Sequence, residues 1–258
     1  MVNSTTIRNV QWNGEKYLCG GIANVATVPE YRCHGFSRHL LRTAISKMEK
    51  EKFHYSLLNS LPNRQSHYAA LDWEKTESPN VSVVLNDGSL SIQQSASWKP
   101  FTIPANNTLL DIYSKCPRPL QLDRSQSYVQ HWVGWNWKTT SSVLYEIQEK
   151  GYAVLSMLDE KHKERGVCVS EWRAIDYEIE KHLLEAAVVE LARRGGKLIE
   201  FSTLPQYVDK KLFEQFGTVT IRQSKSMIRN ISLSTTQYEQ VKELYRLGQA
   251  VYWPADYF

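Results

Sequence analysis

Between residues 36 and 52 the apolar positions Phe36, Leu40, Leu41, Ala44, Ile45 and Met48 fall on one stripe, with Ser, Arg, Lys and Glu around the rest. A period near 3.6 over this length predicts an amphipathic helix. The run His54-Tyr55-Ser56-Leu57-Leu58 follows and reads as a buried strand, and Leu61-Pro62 then opens a second helix reaching about Leu71. The order returns later. Ile179, Leu183, Leu184, Ala187, Val188 and Leu191 form a helical stripe, residues 197–203 read as a strand, and Leu204-Pro205 opens a helix to about Phe216.

The pairs Phe36 and Ile179, Leu40 and Leu183, Ile45 and Val188, Met48 and Leu191, and Pro62 and Pro205 are each 143 positions apart. Two unrelated amphipathic helices can be aligned over one helix, but they do not carry the next strand and proline along without a gap. The spacing therefore predicts a duplicated α/β unit. Antiparallel strands precede each long helix: 6–12, the turn Asn13-Gly14, 16–18 and 21–28 in the first copy, and 152–158 and 166–172 around a polar turn in the second. Strands, helix, strand and helix imply a mixed sheet with helices on its faces, so the expected fold class is α/β (α+β), two tandem mixed sheets. Residues 81–85 and 90–94 read as a hairpin between the copies, and 100–124 as a proline-punctuated connection. The expected boundary lies near residue 105, dividing the chain into 1–104 and 105–258.

Composition narrows the class without naming a chemistry. Of 258 residues 42% are hydrophobic, and 31 Lys and Arg against 27 Asp and Glu leave a net charge of +4. This is globular, and too weakly basic to argue for nucleic acid. The cysteines Cys19, Cys33, Cys116 and Cys168 form no C-x-x-C pair and share no zinc-ligand spacing with the histidines, so neither metal nor disulfide is expected. No apolar run approaches the roughly 18 residues of a membrane span, and the N-terminus lacks a basic-then-apolar leader. The expectation is a cytoplasmic protein without a membrane partner.

One loop suggests chemistry: Val25-Ala26-Thr27-Val28-Pro29, then Arg32-Cys33-His34-Gly35-Phe36-Ser37-Arg38, joining a strand to the first long helix. A helix N-terminus offers backbone N–H groups and partial positive charge, Gly35 permits close approach, and Arg32 adds a cation, a set suited to a pyrophosphate. A plain glycine turn before a helix would look the same from this segment alone. It is neither a Walker loop nor G-x-G-x-x-G.

The segment resembles the acetyl-CoA motif of the GNAT superfamily of N-acetyltransferases. Val28-Pro29, Arg32 and Gly35 match its pattern, and Ser37 is small where the family usually carries Gly or Ala. Tyr68-Ala69-Ala70-Leu71-Asp72-Trp73 is similar to a second family segment, with Asp72 in place of its glycine. The tandem arrangement resembles the enhanced intracellular survival (Eis) type, in which a working domain precedes a degenerate copy. The likeness covers about residues 15–220. At the 143-residue spacing Gly35, Arg32 and Tyr68 correspond to Glu178, Ile175 and Lys211, so the second copy lacks the motif and is expected to be structural.

The resemblance implies a fold and a reaction. Acetyl-CoA, as co-substrate, would lie beside Val25, Ala26 and Thr27, with Arg32 and the loop Cys33, His34, Gly35, Phe36, Ser37 and Arg38 around its pyrophosphate. Asn63 and Arg64, at the start of the second helix, belong to the same expected set. A primary amine of a small molecule or peptide would attack the thioester directly, and Tyr68 would protonate the leaving thiolate. Cys33 is not expected to act as a nucleophile. The base implied by the Eis type is the terminal carboxylate, here that of Phe258, with Asp256 as alternative. His131, Trp132, Trp135 and Trp137 could line a site for a cationic acceptor or simply pack. Family domains carry further helices ahead of the cofactor strand, whereas only 20 residues precede Gly21. The resemblance thus implies either a shortened chain or a wall supplied by a second copy in a homo-oligomer. The competing reading is a catalytically silent CoA-binding or interaction module.

Overall fold

In the computed structural model, residues 2–86, 96–102, 108–157 and 166–250 are described. The chain begins with a long hairpin of β1 (Val2–Trp12) and β2 (Glu15–Ala26). Its two-residue turn, Asn13-Gly14, has φ of 50° and 76°, the left-handed pair that matches strand twist. The sequence predicted two strands broken at Cys19-Gly20, yet β2 runs through unbroken. Gly20 is there for packing: a Cβ would sit 2.3 Å from the Met48 sulfur on α1 (Phe36–Lys50), so the glycine lets the helix lie close against the sheet. Of the predicted stripe Leu41, Ala44, Ile45 and Met48 face inward, Leu40 is partly buried, and Phe36, at the first turn, is exposed on the cleft side.

After α1 come β3 (Tyr55–Asn59), a 3-10 turn at Pro62–Arg64 and the short α2 (Gln65–Ala69). Asp72, where the resembled segment carries glycine, has φ 63°, in the left-handed region that glycine favours. Its carboxylate accepts from the Arg229 guanidinium at 2.7 Å, which also donates to the Leu71 carbonyl. Next are β4 (Glu74–Lys75), β5 (Pro79–Leu85) and β6 (Lys99–Pro100). The stretch expected to be mere connection holds α3 (Thr108–Lys115), which buries Leu109, Ile112 and Tyr113, and β7 (Gln121–Leu122). Then α4 (Gln126–Tyr128) passes through a π-helical turn into α5 (Gly134–Thr139).

The second unit follows the first in order: β8 (Val143–Ile147), β9 (Gly151–Met157), β10 (Val167–Ala174), α6 (Tyr177–Arg193) and β11 (Leu198–Phe201). Both units place a strand parallel to the one before their long helix, β3 beside β2 and β11 beside β10. The helix expected directly at Leu204-Pro205 is absent there. The backbone amides of Gln206, Tyr207 and Val208 bind a carboxylate instead, and helical turns begin only at the 3-10 segment Lys210–Gln215. The described chain closes with β12 (Gly217–Gln223), β13 (Ser226–Asn230) and α7 (Thr235–Arg246).

Two mixed sheets result, ordered β4-β13-β3-β2-β1-β7 and β12-β5-β11-β10-β9-β8-β6. They exchange strands. Strand β5 lies antiparallel between β11 and β12 of the second sheet, and β13 lies between β3 and β4 of the first. Residues on either side of position 105 are therefore shared between the sheets, and β5 pairs with these strands rather than forming the expected local hairpin. Positions 90–94 lie outside the described residues. Each long helix covers one sheet: α1 with Ile22, Leu58 and Trp73, and α6 with Val169, Ile199 and Phe201.

Of the tryptophan cluster, Trp137 is core, edge-on to Phe101 at 5.0 Å. Trp132 sits beside Trp135 and under the Arg8 guanidinium, while Trp135 is exposed. Among the described residues no helix is long and apolar enough to cross a membrane.

Candidate active site

Strands β2 and β3 pair in parallel from Cys19 opposite Tyr55 to Ile22 opposite Leu58, and there the pairing stops. Beyond it β2 continues to Ala26 along β1 only, through an irregularity at Asn24, whose φ is 52°. A parallel pair that parts midway leaves a wedge between its strands.

The wedge opens into a cleft of about 880 Å³ lined by Val25, Ala26, Thr27, Arg32, Cys33, Gly35, Phe36, Ser37, Arg38, Asn63, Arg64 and Tyr68, joined by Tyr31 and His67. Residues far apart in sequence thus meet: the loop before α1 forms one wall and the start of α2 the other. Of the expected loop residues only His34 is not on the wall. Its Nδ1 contacts the Arg32 carbonyl at 2.7 Å, and its ring stacks on Phe36 at 5.8 Å. Tyr31 and His67 were not anticipated. The sequence carried no signal for either, since both lie outside the motif positions and are brought to the cleft by the fold.

The charge of the cleft is one-sided. Among the described residues Arg32, Arg38 and Arg64 line it and no carboxylate does. Arg32 is steadied by its Nε, which donates to the Thr27 carbonyl at 3.2 Å. Gly35 precedes α1 with φ 78°, and no side chain caps the helix, whose first turn holds no acid. A helix end of this kind presents N–H donors and partial positive charge to whatever occupies the cleft.

Across the cleft the Ser37 hydroxyl and His67 Nε2 are 2.9 Å apart, bridging the start of α1 to α2. Burial, then the neighbouring Arg38 and Arg64 charges, push the His67 pKa below the usual 6.5. Tyr68 is half-buried, edge-on to the core residue Trp73 at 6.2 Å, and burial raises its pKa although Arg64 pulls the other way. A phenol in that state stays protonated through the neutral range.

The second unit differs at the same place. Asp176 caps α6 by accepting from the Ile179 amide at 2.9 Å. Glu180, at the position of Ser37 in the first unit, is buried, and its carboxylate accepts from Trp172 Nε1 at 3.0 Å. It also accepts from the amides of Gln206, Tyr207 and Val208 at 2.7, 2.6 and 2.8 Å. Only Ile175 and Asp176 separate β10 from α6, whereas residues 27–35 separate β2 from α1. The second unit thus has no counterpart of the loop that makes the first cleft, and a carboxylate of the chain itself takes up the N–H donors there. Phe258 and Asp256, expected as bases, lie outside the described residues.

Residues 3–76 match the acetyltransferase (GNAT) domain family. No curated protein matches the chain in sequence. Among solved structures the chain is similar to a probable N-acyltransferase from Enterococcus faecalis, with 16% identity over 89% of this chain and 58% of that one, at TM-score 0.63. It is similar to a GCN5-related N-acetyltransferase from Anabaena variabilis, with 18% identity over 89% and 59% of the two chains, at TM-score 0.61. Eis1 from Mycobacterium abscessus shares 12% identity over 89% and 61%, at TM-score 0.60. The chain spans less than two thirds of the length of each of these three. The domain match thus lies over β1, β2 and α1, which carry the loop of the cleft, and the fold shared with these solved structures runs through both units.

Proposed function

We propose that the protein is an acyltransferase that uses an acyl-CoA, and that it moves the acetyl group of acetyl-CoA to a primary amine of a small molecule or peptide. The observation that carries this reading is the uncapped start of α1 at Gly35, ringed by Arg32, Arg38 and Arg64 with no carboxylate, at one end of a wedge whose wall includes Tyr68. The cleft volume lies within the roughly 300–1,000 Å³ of cofactor sites. The cations and the helix end suit a diphosphate, and the wedge beside Val25, Ala26 and Thr27 suits an extended arm. In this reading Arg32 and the amides following Gly35 hold the diphosphate, and the arm runs along β2 toward Tyr68.

The chemistry asked of the chain is modest. The amine nitrogen bonds to the thioester carbonyl carbon, the carbon–sulfur bond breaks, and the Tyr68 hydroxyl gives its proton to the departing thiolate as charge builds there. The amine's own proton goes to a base. No described residue of the cleft wall is a carboxylate, and the terminal carboxylate of Phe258, the base that the resemblance implies, is the proposed group. The second unit, closed by Glu180, acts as scaffold.

The lack of a carboxylate on the wall equally favours a second reading, a CoA-binding module without turnover. The test is release of free CoA from acetyl-CoA over a panel of amines, measured chromatographically. Release that depends on an amine and is lost in Tyr68→Phe supports the transferase. Binding of acetyl-CoA with no amine-dependent release supports the silent module.

A further inference from the structure

Among the described residues His67 is the one imidazole on the cleft wall, and the proposed reaction gives it no role. It lies on the wall, half-buried, its Nε2 2.9 Å from the Ser37 hydroxyl at the start of α1. The groups that face it are all neutral or positive: Ser37 and Arg38 from α1, Arg64 from the turn before α2, and Tyr68 edge-on at 5.3 Å. In the empty cleft a proton on His67 would sit among like charges, so the ring stays neutral and bonds to Ser37. A diphosphate entering between the helix start and Arg38 reverses the sign of that field. It also competes for Ser37, because the same hydroxyl that holds the imidazole faces the space the diphosphate needs.

We propose that His67 is a proton-taking phosphate contact: when the diphosphate of a CoA enters, His67 leaves Ser37, takes up a proton and binds the diphosphate as a cation. This rests on the acyl-CoA reading and adds to it a residue, a ligand atom class and a linkage. The proton comes from solvent and returns there when the ligand leaves. The sign follows. Because the bound ring holds its proton more tightly than the free one, the complex carries more protons than the empty protein between the two pKa values. Affinity therefore rises as pH falls through that window, levels off below the free value, and levels off again above the bound one. The lower edge lies below 6.5, since the free ring is already pushed down.

The experiment is calorimetric binding of dephospho-CoA to the full chain. This ligand is chosen because a terminal phosphate monoester titrates near pH 6 and would confuse the count, whereas a diphosphate diester does not. Titrations run from pH 6 to 8.5, each in two buffers of different ionisation enthalpy, on the parent, His67→Asn and Ser37→Ala. The expected result is uptake of up to about one proton per ligand near neutrality, with affinity falling at most about tenfold per pH unit. His67→Asn should lose the uptake and show a flat profile that meets the parent's at high pH. Ser37→Ala should keep the uptake. Binding with no buffer dependence in the parent, or uptake unchanged in His67→Asn, would overturn the proposal while leaving the acyl-CoA reading intact. No binding at any pH would overturn both.

Discussion

Ser37 and Glu180 occupy the same position of the two units, 143 residues apart, and have opposite surroundings. Ser37 stands on the wall of the first cleft, 2.9 Å from His67, while Glu180 is buried and receives four N–H donors, three of them backbone amides. A carboxylate so bound does for the second unit what a bound anion would do for the first, and it cannot leave.

Glu180→Ser should therefore destabilise strongly. Three amides and an indole N–H lose a charged acceptor inside the core, which costs about 3–5 kcal/mol. For a chain of this size that lowers Tm by about 6–20 °C. Glu178→Ser, two residues earlier and exposed, should change Tm by no more than a degree or two. Differential scanning calorimetry of the two variants compares them directly.

The thiols should react in a definite order. Burial pushes the Cys19 and Cys168 pKa values up to about 12 and raises that of Cys116. Cys33 is exposed on the cleft wall. Native iodoacetamide labelling followed by peptide mass spectrometry should find Cys33 modified first, and acetyl-CoA should slow that modification at least several-fold. Labelling of Cys33 that is indifferent to acetyl-CoA would place the ligand elsewhere.

Tyr68→Phe separates binding from chemistry. The ring and its contact with Trp73 remain, so the Kd for acetyl-CoA should be unchanged, while kcat falls about 100-fold with loss of a general acid. Because burial raises the Tyr68 pKa above 10.0, the protonated form needed for donation is lost only as pH rises past the ordinary tyrosine range. Any loss of activity with rising pH below that range belongs to another group.

Asp72 tests a local compromise. It holds φ 63°, and its partner Arg229 is largely buried. Asp72→Ala keeps the strain and loses a pairing whose carboxylate is largely exposed, and should cost no more than about 1 kcal/mol. Asp72→Gly loses the pairing but removes the strain, and should be about 1 kcal/mol more stable than the alanine variant in urea unfolding.

Much of this was legible in the chain. The 143-residue spacing captured the shared order of α1 and β3 with α6 and β11, because an amphipathic helix over a buried strand is written locally. The cleft wall was legible for the same reason: Arg32 to Arg38 and Asn63 to Tyr68 are contiguous segments flanking those elements. What escaped was non-local. Nothing in Val81 to Leu85 says that β5 will pair with β11 and β12 rather than with the nearest downstream run, since an alternating apolar strand fits either sheet. Gly20 read as punctuation, although its role is set by Met48, nearly thirty residues away. The helix expected at Leu204-Pro205 was displaced because the amides that would have started it bind Glu180. Pattern reads which elements form, and partners distant in sequence decide where they go.

The central claim is that the start of α1 at Gly35 receives the phosphates of an acyl-CoA, and Gly35→Glu addresses it most directly. Space is available, since nothing lies within 4 Å of a Cβ there. The positive φ costs about 1–2 kcal/mol, so the variant should still fold. Thermal unfolding with acetyl-CoA at about 100 times its Kd should raise the parent Tm by about 5–10 °C, from roughly 2.7 kcal/mol of linkage. In Gly35→Glu the ligand should raise Tm by less than a degree. An equal shift in both proteins, or none in the parent, would contradict the account.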